Sequence, residues 1–211
     1  MKNFTWNKHK TDKLDHGYDV VYDKFLSTIR NDVKSVIEIG SRVGSAKLWL
    51  DYFPNAHIYA VDLKTFNIND PRFTMLKINQ GDISALNKTF NDPNGYDVII
   101  DDGPHSSPEQ LISFDFFKDK FNKFYIVEDL HCTNSNEGEP NFAKFKRNSD
   151  ITFQNLCVDL NNKIIKDYKY FNGSQYASDN LKVNKERGTK KRWPYMTRPS
   201  EIYFIEKNEN C

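Results

Sequence analysis

Two short runs carry the residue types that can do chemistry. "YDVIIDDGPH" (96–105) drives Val98, Ile99 and Ile100 toward a core and then ends in Asp101 and Asp102, followed by a glycine, a proline and His105. "YIVEDL" (125–130) repeats the plan, with Glu128 and Asp129 closing an apolar run. If the two runs are neighbouring strands, three or four carboxylates converge at one edge of a sheet. At ~4 Å and an effective dielectric near 20, each unscreened like-charged pair costs about 4 kcal/mol. That is a large share of the roughly 5–15 kcal/mol that stabilises a whole protein. The acids therefore splay into solvent, bind protons, or surround a cation. An all-oxygen cluster suits Mg²⁺ or Mn²⁺, with water and substrate oxygens filling six positions. Asp102, Glu128 and Asp129 are the expected ligands, and Asp101 is expected to turn toward the loop backbone or a helix N-terminus. His105, three residues past Asp102, is the expected general base for a hydroxyl that the metal has acidified. His131, in "EDLHC", is the weaker candidate, for substrate contact. Cys132, Cys157 and Cys211 lack zinc spacing.

A second constellation lies earlier. "VIEIGSRVGS" ends a strand in Glu38 and turns through Gly40, Ser41 and Gly44. In an open α/β sheet, ligands bind beyond the carboxyl ends of the strands, and glycines let the backbone come close to them. A dinucleotide would want a second glycine two positions after the first, where this chain has Arg42, and Glu38 would repel its phosphates. An adenosine with an amino-acid tail and no phosphate suits these residues better, and S-adenosylmethionine is such a ligand. Asp62 ends the next strand, 22 residues beyond Gly40, where an acid can take both ribose hydroxyls. Asp82, in "NQGDIS", is placed to add a contact on the adenine side. The plainer alternatives are a strand-end salt bridge for Glu38 and an ordinary loop acid for Asp62.

The elements that must position these residues follow from periodicity. Tyr18, Val21, Tyr22, Phe25 and Ile29 share a helical face. Strands are expected at 35–40, 57–63, 73–79, 96–101, 123–130 and 201–207. Helices are expected between them at 45–53, 83–90 and 107–121, and again over "SDITFQNLCVDLNNKI". Strands that are apolar throughout and alternate with helices imply a mostly parallel sheet covered on both faces. Residues 131–150 lean toward loop, and 162–200 carry little signal.

Length and composition set the outer bounds. At 211 residues one domain is the simplest reading. Thirty basic and twenty-nine acidic residues leave a formal charge of +1, so no overall field favours nucleic acid or an anionic membrane. No apolar run approaches the ~20 residues needed to span a bilayer, and the start lacks a signal-peptide segment. Few, odd and scattered cysteines fit a reduced, cytoplasmic setting. "KERGTKKRWPYMTR" (185–198) gathers six basic residues around Trp193 and Tyr195. It has three readings: a solvated loop, a substrate-facing loop for an anionic or nucleotide-linked sugar, or a nucleic-acid contact. A protein that keeps the fold without activity is a further alternative.

The assembled pattern resembles the class I S-adenosylmethionine-dependent methyltransferases. Within them it is similar to the metal-dependent sugar O-methyltransferases related to the macrolide-glycoside methyltransferases and the cephalosporin hydroxylase group. "TDKLDHGYDVVYDKF", "IEIGSRVGSAKLWLDYFPNAHIYAVDL", "DVIIDDGPH" and "YIVEDL" carry the likeness over residues 11–131. The resemblance implies a Rossmann-like α/β fold with a mostly parallel seven-stranded sheet ending in an antiparallel hairpin, and helices on both faces. It implies that Glu38, Gly40, Gly44 and Asp62 line the methyl-donor site, with Asp82 near the adenine. It also implies Mg²⁺ at Asp102, Glu128 and Asp129 and a general base at His105. Residues 1–30 would form a site-covering segment and helix, to which Lys13, His16 and Tyr18 contribute. A homo-oligomer is expected. So is a sugar-bearing acceptor: a small molecule, a nucleotide-linked sugar or a surface glycan. The rival acceptors are a catechol-like diol and an antibiotic precursor. Pro104 stands where the family often has serine, and "KFNKF" lacks a common glycine pair.

Overall fold

A computed structural model describes residues 4–14, 16–130, 168–172 and 202–207. Helix α1 runs Tyr18–Leu26, strand β1 Ser35–Ile39, α2 Val43–Tyr52 and β2 His57–Val61. They are followed by β3 Phe73–Leu76, α3 Ile83–Thr89, β4 Tyr96–Asp101, α4 Ser107–Phe117 and β5 Phe121–Val127. Strands β6 Tyr168–Asn172 and β7 Tyr203–Lys207 complete one seven-stranded sheet of order β3-β2-β1-β4-β5-β7-β6. The first five strands are parallel; β7 runs antiparallel to both β5 and β6. This is the expected Rossmann-like arrangement with its antiparallel end.

Period-two alternation divides the strand side chains between two cores. Val36, Ile58, Val98, Ile100, Phe124, Ile126 and Phe204 pack with Tyr22, Leu26, Leu48 and Trp49 of α1 and α2. Their neighbours Ile37, Val61, Ile99, Tyr125, Val127 and Ile205 pack with Leu86, Phe114 and Phe117 of α3 and α4. Residues buried on both faces need no polar side, which is why the strand centres are mostly apolar.

Several boundaries differ from the sequence expectation; β3 ends at Leu76 rather than 79, and β5 runs Phe121–Val127 rather than 123–130. α4 stops at Phe117 rather than reaching 121, because Phe121 already pairs with Tyr96 as the start of β5. α1 ends at Leu26, and residues 27–32 continue as turns. β6 had no sequence signal of its own; it is a strand because β7 supplies its hydrogen-bonding edge. The expected helix over 149–164, the 131–150 loop and the 185–198 segment lie outside the described residues. Among the described residues no helix is long and apolar enough to cross a membrane.

Candidate active site

The carboxyl ends of β1, β4 and β5 lie side by side, since β1 pairs β4 and β4 pairs β5 in parallel. Parallel pairing aligns strand tips, so Glu38, the Asp101–Asp102 pair and the Glu128–Asp129 pair must meet at one edge. Two backbone contacts lock them: Asp102 N–H donates to Ile39 O (3.0 Å) and Glu128 N–H to Asp101 O (3.0 Å). Gly40 turns away from β1 at φ +76, and a Cβ there would lie 1.9 Å from the Asp102 carbonyl oxygen. The glycine is thus required by the approach of the β4 end.

The acids have different neighbours. Asp101 is fully buried and accepts from Gln80 Nε2 (3.3 Å), Gly103 N–H (3.3 Å) and the Tyr125 hydroxyl (3.2 Å). Burial pushes its carboxyl up to about 6, against the pull of those donors. Asp102 opens toward the surface. Burial and the negative charge of Asp129 and Glu38 raise it to about 6 although Lys13 and His105 pull the other way. Ligand atoms of Asp102, His105 and Asp129 all lie within 4.8 Å of one another. His105 Nε2 is 3.5 Å from Asp129 Oδ2, and its buried Nδ1 has no hydrogen-bond partner. His105 (φ 56) and Asp129 (φ 57) are the non-glycine residues with left-handed backbone among those described. Such strain costs about 1–3 kcal/mol per residue and collects at functional sites.

The cation that meets the acids within the chain is Lys13. It is wholly buried in a 3-10 turn, Asp12–Leu14, with Nζ 2.6 Å from Asp102 Oδ2, 2.7 Å from Glu128 Oε1 and 3.4 Å from Glu38 Oε1. Burial alone would lower its pKa, but the three carboxylates hold it well above the ordinary lysine value. Glu128 Oε1 also accepts a short hydrogen bond from the Tyr22 hydroxyl. Burial, and then Asp102, push the Glu128 carboxyl up even so. Tyr18 donates to Asp129 Oδ1 (2.7 Å), and His16 Nδ1 lies 3.8 Å from the same oxygen. The sequence expectation grouped Glu128 with the metal ligands. In the structure its Oε1 is engaged by Lys13 and Tyr22, while ligand atoms of Asp102, His105 and Asp129 come together.

The donor-side residues are ordered mainly by the chain itself. Buried Glu38 accepts from Ser41 Oγ, Ser45 Oγ (2.7 Å) and Trp49 Nε1 (2.7 Å). A Cβ on Gly44 would lie 1.9 Å from the Lys10 carbonyl oxygen, so this glycine seats the N-terminal segment across the start of α2. Asp62 closes a turn by accepting from Lys64 N–H (2.6 Å). Asp82 caps α3 by accepting from Ala85 N–H (3.0 Å). Beside these two acids, Leu63 and Ile83 stand exposed. His131, Trp193 and Tyr195 lie outside the described residues.

Sequence reasoning missed Tyr22, Gln80 and Trp49 as site residues, and the depth of Lys13. Tyr22 was legible in principle: it follows Tyr18 by four residues, so both hydroxyls leave one helix face. Gln80 and Trp49 carried no such signal, since only the fold brings them to Asp101 and Glu38.

No family model matches this chain. Two Streptomyces olivaceus proteins are similar in sequence. The 8-demethyl-8-(2-methoxy-alpha-L-rhamnosyl)-tetracenomycin-C 3'-O-methyltransferase is 29% identical over 136 residues, covering 58% of this chain and 35% of that one. The 8-demethyl-8-alpha-L-rhamnosyl tetracenomycin-C 2'-O-methyltransferase is 28% identical over 138 residues, covering 60% and 36%. The Micromonospora griseorubida mycinamicin VI 2''-O-methyltransferase is 26% identical, covering 54% and 32%. This chain therefore spans about a third of the length of the curated relatives it matches. Among solved structures, the MycE methyltransferase of the mycinamycin pathway, in complex with Mg, SAH and mycinamycin VI, superposes with a TM-score of 0.61. It is 20% identical and covers 90% of this chain and 49% of that one. The plantazolicin methyltransferase BpumL gives 0.52 at 11% identity, covering 96% and 88%. The chain is thus similar in sequence to antibiotic-sugar O-methyltransferases and shares its fold with class I methyltransferases.

Proposed function

We propose that this protein transfers a methyl group from S-adenosylmethionine to a hydroxyl of a sugar or glycan, with a divalent cation and His105 at the reacting end. The observation that carries the proposal is the convergence of Asp102, His105 and Asp129 within 4.8 Å at the strand edge that ends in the Gly40 turn. It is supported by the relatives, which methylate sugar hydroxyls on antibiotics by name.

The residues suit Mg²⁺ or Mn²⁺. Asp102 and Asp129 offer carboxylate oxygens, and the acids outnumber the positive charge supplied by Lys13. Hard cations choose oxygen and keep several waters, which leaves the imidazole of His105 for the proton. When bound, the cation supplies positive charge that lowers the pKa of a sugar hydroxyl. His105 takes that proton at Nε2, and the Asp129 carboxylate 3.5 Å away stabilises the imidazolium that results. Asp62 and Asp82 would hold the adenosine of the donor, with exposed Leu63 and Ile83 offering apolar cover. Glu38 acts through Ser41, Ser45 and Trp49, fixing the turn that faces the methionine tail. Bound S-adenosylmethionine would supply the methyl and leave as S-adenosylhomocysteine, and alignment and field would be the protein's main contributions.

The acceptor is a sugar-bearing small molecule, a nucleotide-linked sugar or a glycan, and the protein works in the cytoplasm. The test incubates the purified protein with S-adenosylmethionine, Mg²⁺ and a panel of nucleotide-linked sugars, with mass spectrometry reading the gain of one methylene. Chelation is expected to abolish the gain. Turnover that survives exhaustive chelation removes the metal from the proposal. Absence of donor binding by calorimetry removes the activity.

A further inference from the structure

Asp129 is held in an uncommon way. The amide of Glu128 still pairs with the β4 end, donating to Asp101 O (3.0 Å). The next residue turns at φ 57, a left-handed backbone that a non-glycine residue keeps only where its surroundings over-determine it. One side chain, 111 residues earlier, supplies that constraint. The Tyr18 hydroxyl accepts from Asp129 N–H (3.2 Å) and donates to Asp129 Oδ1 (2.7 Å). A single oxygen therefore holds both the backbone and the carboxylate of this residue.

Tyr18 is itself fixed. It is the first residue of α1 and wholly buried, and the His16 ring stacks on it with centroids 5.3 Å apart. Buried Trp6, through Nε1 (3.0 Å), and the Tyr52 hydroxyl (2.9 Å) donate to the two carboxylate oxygens of Asp23 on the same helix. The Trp6 bond also pins the N-terminal stretch to α1. Seated in this way, Tyr18 makes the two oxygens of Asp129 unequal. Oδ1 faces the tyrosine and His16 Nδ1 (3.8 Å), while Oδ2 faces His105 Nε2 (3.5 Å). We propose that Tyr18 is a positioning residue for Asp129: its hydroxyl fixes the left-handed turn and occupies Oδ1, so that Oδ2 is turned to the side where the cation and His105 meet. Carboxylates that ligate metals are themselves hydrogen-bonded, and losing such a support costs ~10–100-fold in metal affinity. The assignment rests on the metal reading above.

The test titrates Mn²⁺ into the full chain with S-adenosylhomocysteine present and follows free Mn²⁺ by electron paramagnetic resonance. Tyr18→Phe keeps the ring and removes the hydroxyl, and is expected to weaken binding by about tenfold. Tyr52→Phe is the control for α1 packing, since its hydroxyl donates to Asp23 rather than to a strand-end acid; it is expected to stay within about twofold of wild type. An equal loss in both variants would mark a general loosening of the helix, and the assignment falls. Asp129→Gly adopts the left-handed turn without strain and has no carboxylate, so it is expected to weaken Mn²⁺ more than Tyr18→Phe does. Adding Tyr18→Phe to Asp129→Gly should then cost less than about twofold, because the effect runs through Asp129. The assignment falls if Tyr18→Phe alone leaves the affinity unchanged, or if it costs as much in the Asp129→Gly background as in wild type. Should Tyr18→Phe fail to fold, amide exchange in the wild type decides. A slowly exchanging Asp129 N–H is expected, and exchange as fast as in an open loop overturns the clamp. Wild-type protein that binds no Mn²⁺ overturns the metal reading itself, and this assignment with it.

Discussion

Glu38 and Asp102 stand on adjacent strand ends and touch the same lysine, yet their surroundings are opposite in kind. Glu38 is enclosed: three neutral donors, one from the turn before α2 and two from α2 itself, cover it, and no water-facing side remains. Asp102 sits in an open half, beside a histidine and an aspartate whose backbones are both left-handed. Buried polar groups that are fully satisfied rigidify a structure. Acids crowded together with strained neighbours are stable only when something further binds or when the fold forces them. The β1 half is therefore the more enclosed framework, and the β4–β5 half is the more open one.

Substitutions can break or sharpen that contrast. The largest effect is expected on the open side. His105→Ala should lower kcat by about a hundredfold or more at saturating donor and metal, as loss of a general base does. Near-full rate in that variant would remove the histidine from the mechanism. The junction of the halves is next. Gly40→Ala should destabilise by about 3 kcal/mol, combining overpacking with left-handed strain. Gly81→Ala is the control, because its Cβ would meet only Asn79 Oδ1, at 3.5 Å. Equal melting temperatures for the two variants would contradict the packing described here.

Asp101 gives a pH signature. Its folded pKa is raised from 3.8 to about 6, so the folded state holds the proton more tightly than the unfolded chain. Its contribution is present in full below about pH 4 and is lost as pH rises through 6, on the order of 3 kcal/mol in all. The stability of wild type minus that of Asp101→Asn, from urea unfolding, should fall across that window and stay flat above it. A difference independent of pH would show that Asp101 ionises normally. The smallest effect is expected in the framework: Trp49→Phe deprives Glu38 of one donor, at about 1–2 kcal/mol. It should lower the melting temperature while leaving Mn²⁺ affinity nearly unchanged. A large loss of metal affinity would mean the halves are less separate than drawn.

Much of this was open to reading in one dimension. Runs such as 98–100 and 124–127 are apolar at every position because both faces of each strand are covered, and that pattern needs no coordinates to be recognised. The acids stood out because each ends such a run. The partners of those acids were not legible, since Lys13 lies 89 residues from Asp102 and 115 from Glu128. A lysine in a polar N-terminal stretch looks solvated until Trp6 and Gly44 are seen to pin that stretch down.

By itself the sequence determined the class of fold and which strand ends carry acids, because apolar periodicity and chain order suffice for both. Only the tertiary structure decided how those acids are shared: Glu38 to the framework, Asp101 to Gln80 and Tyr125, Glu128 to Lys13 and Tyr22, and Asp102 with Asp129 to His105. The physical reason is range. Periodicity acts over a few residues, whereas a charge buried in a core is answered by whatever the fold brings within 3 Å or so, from any distance along the chain.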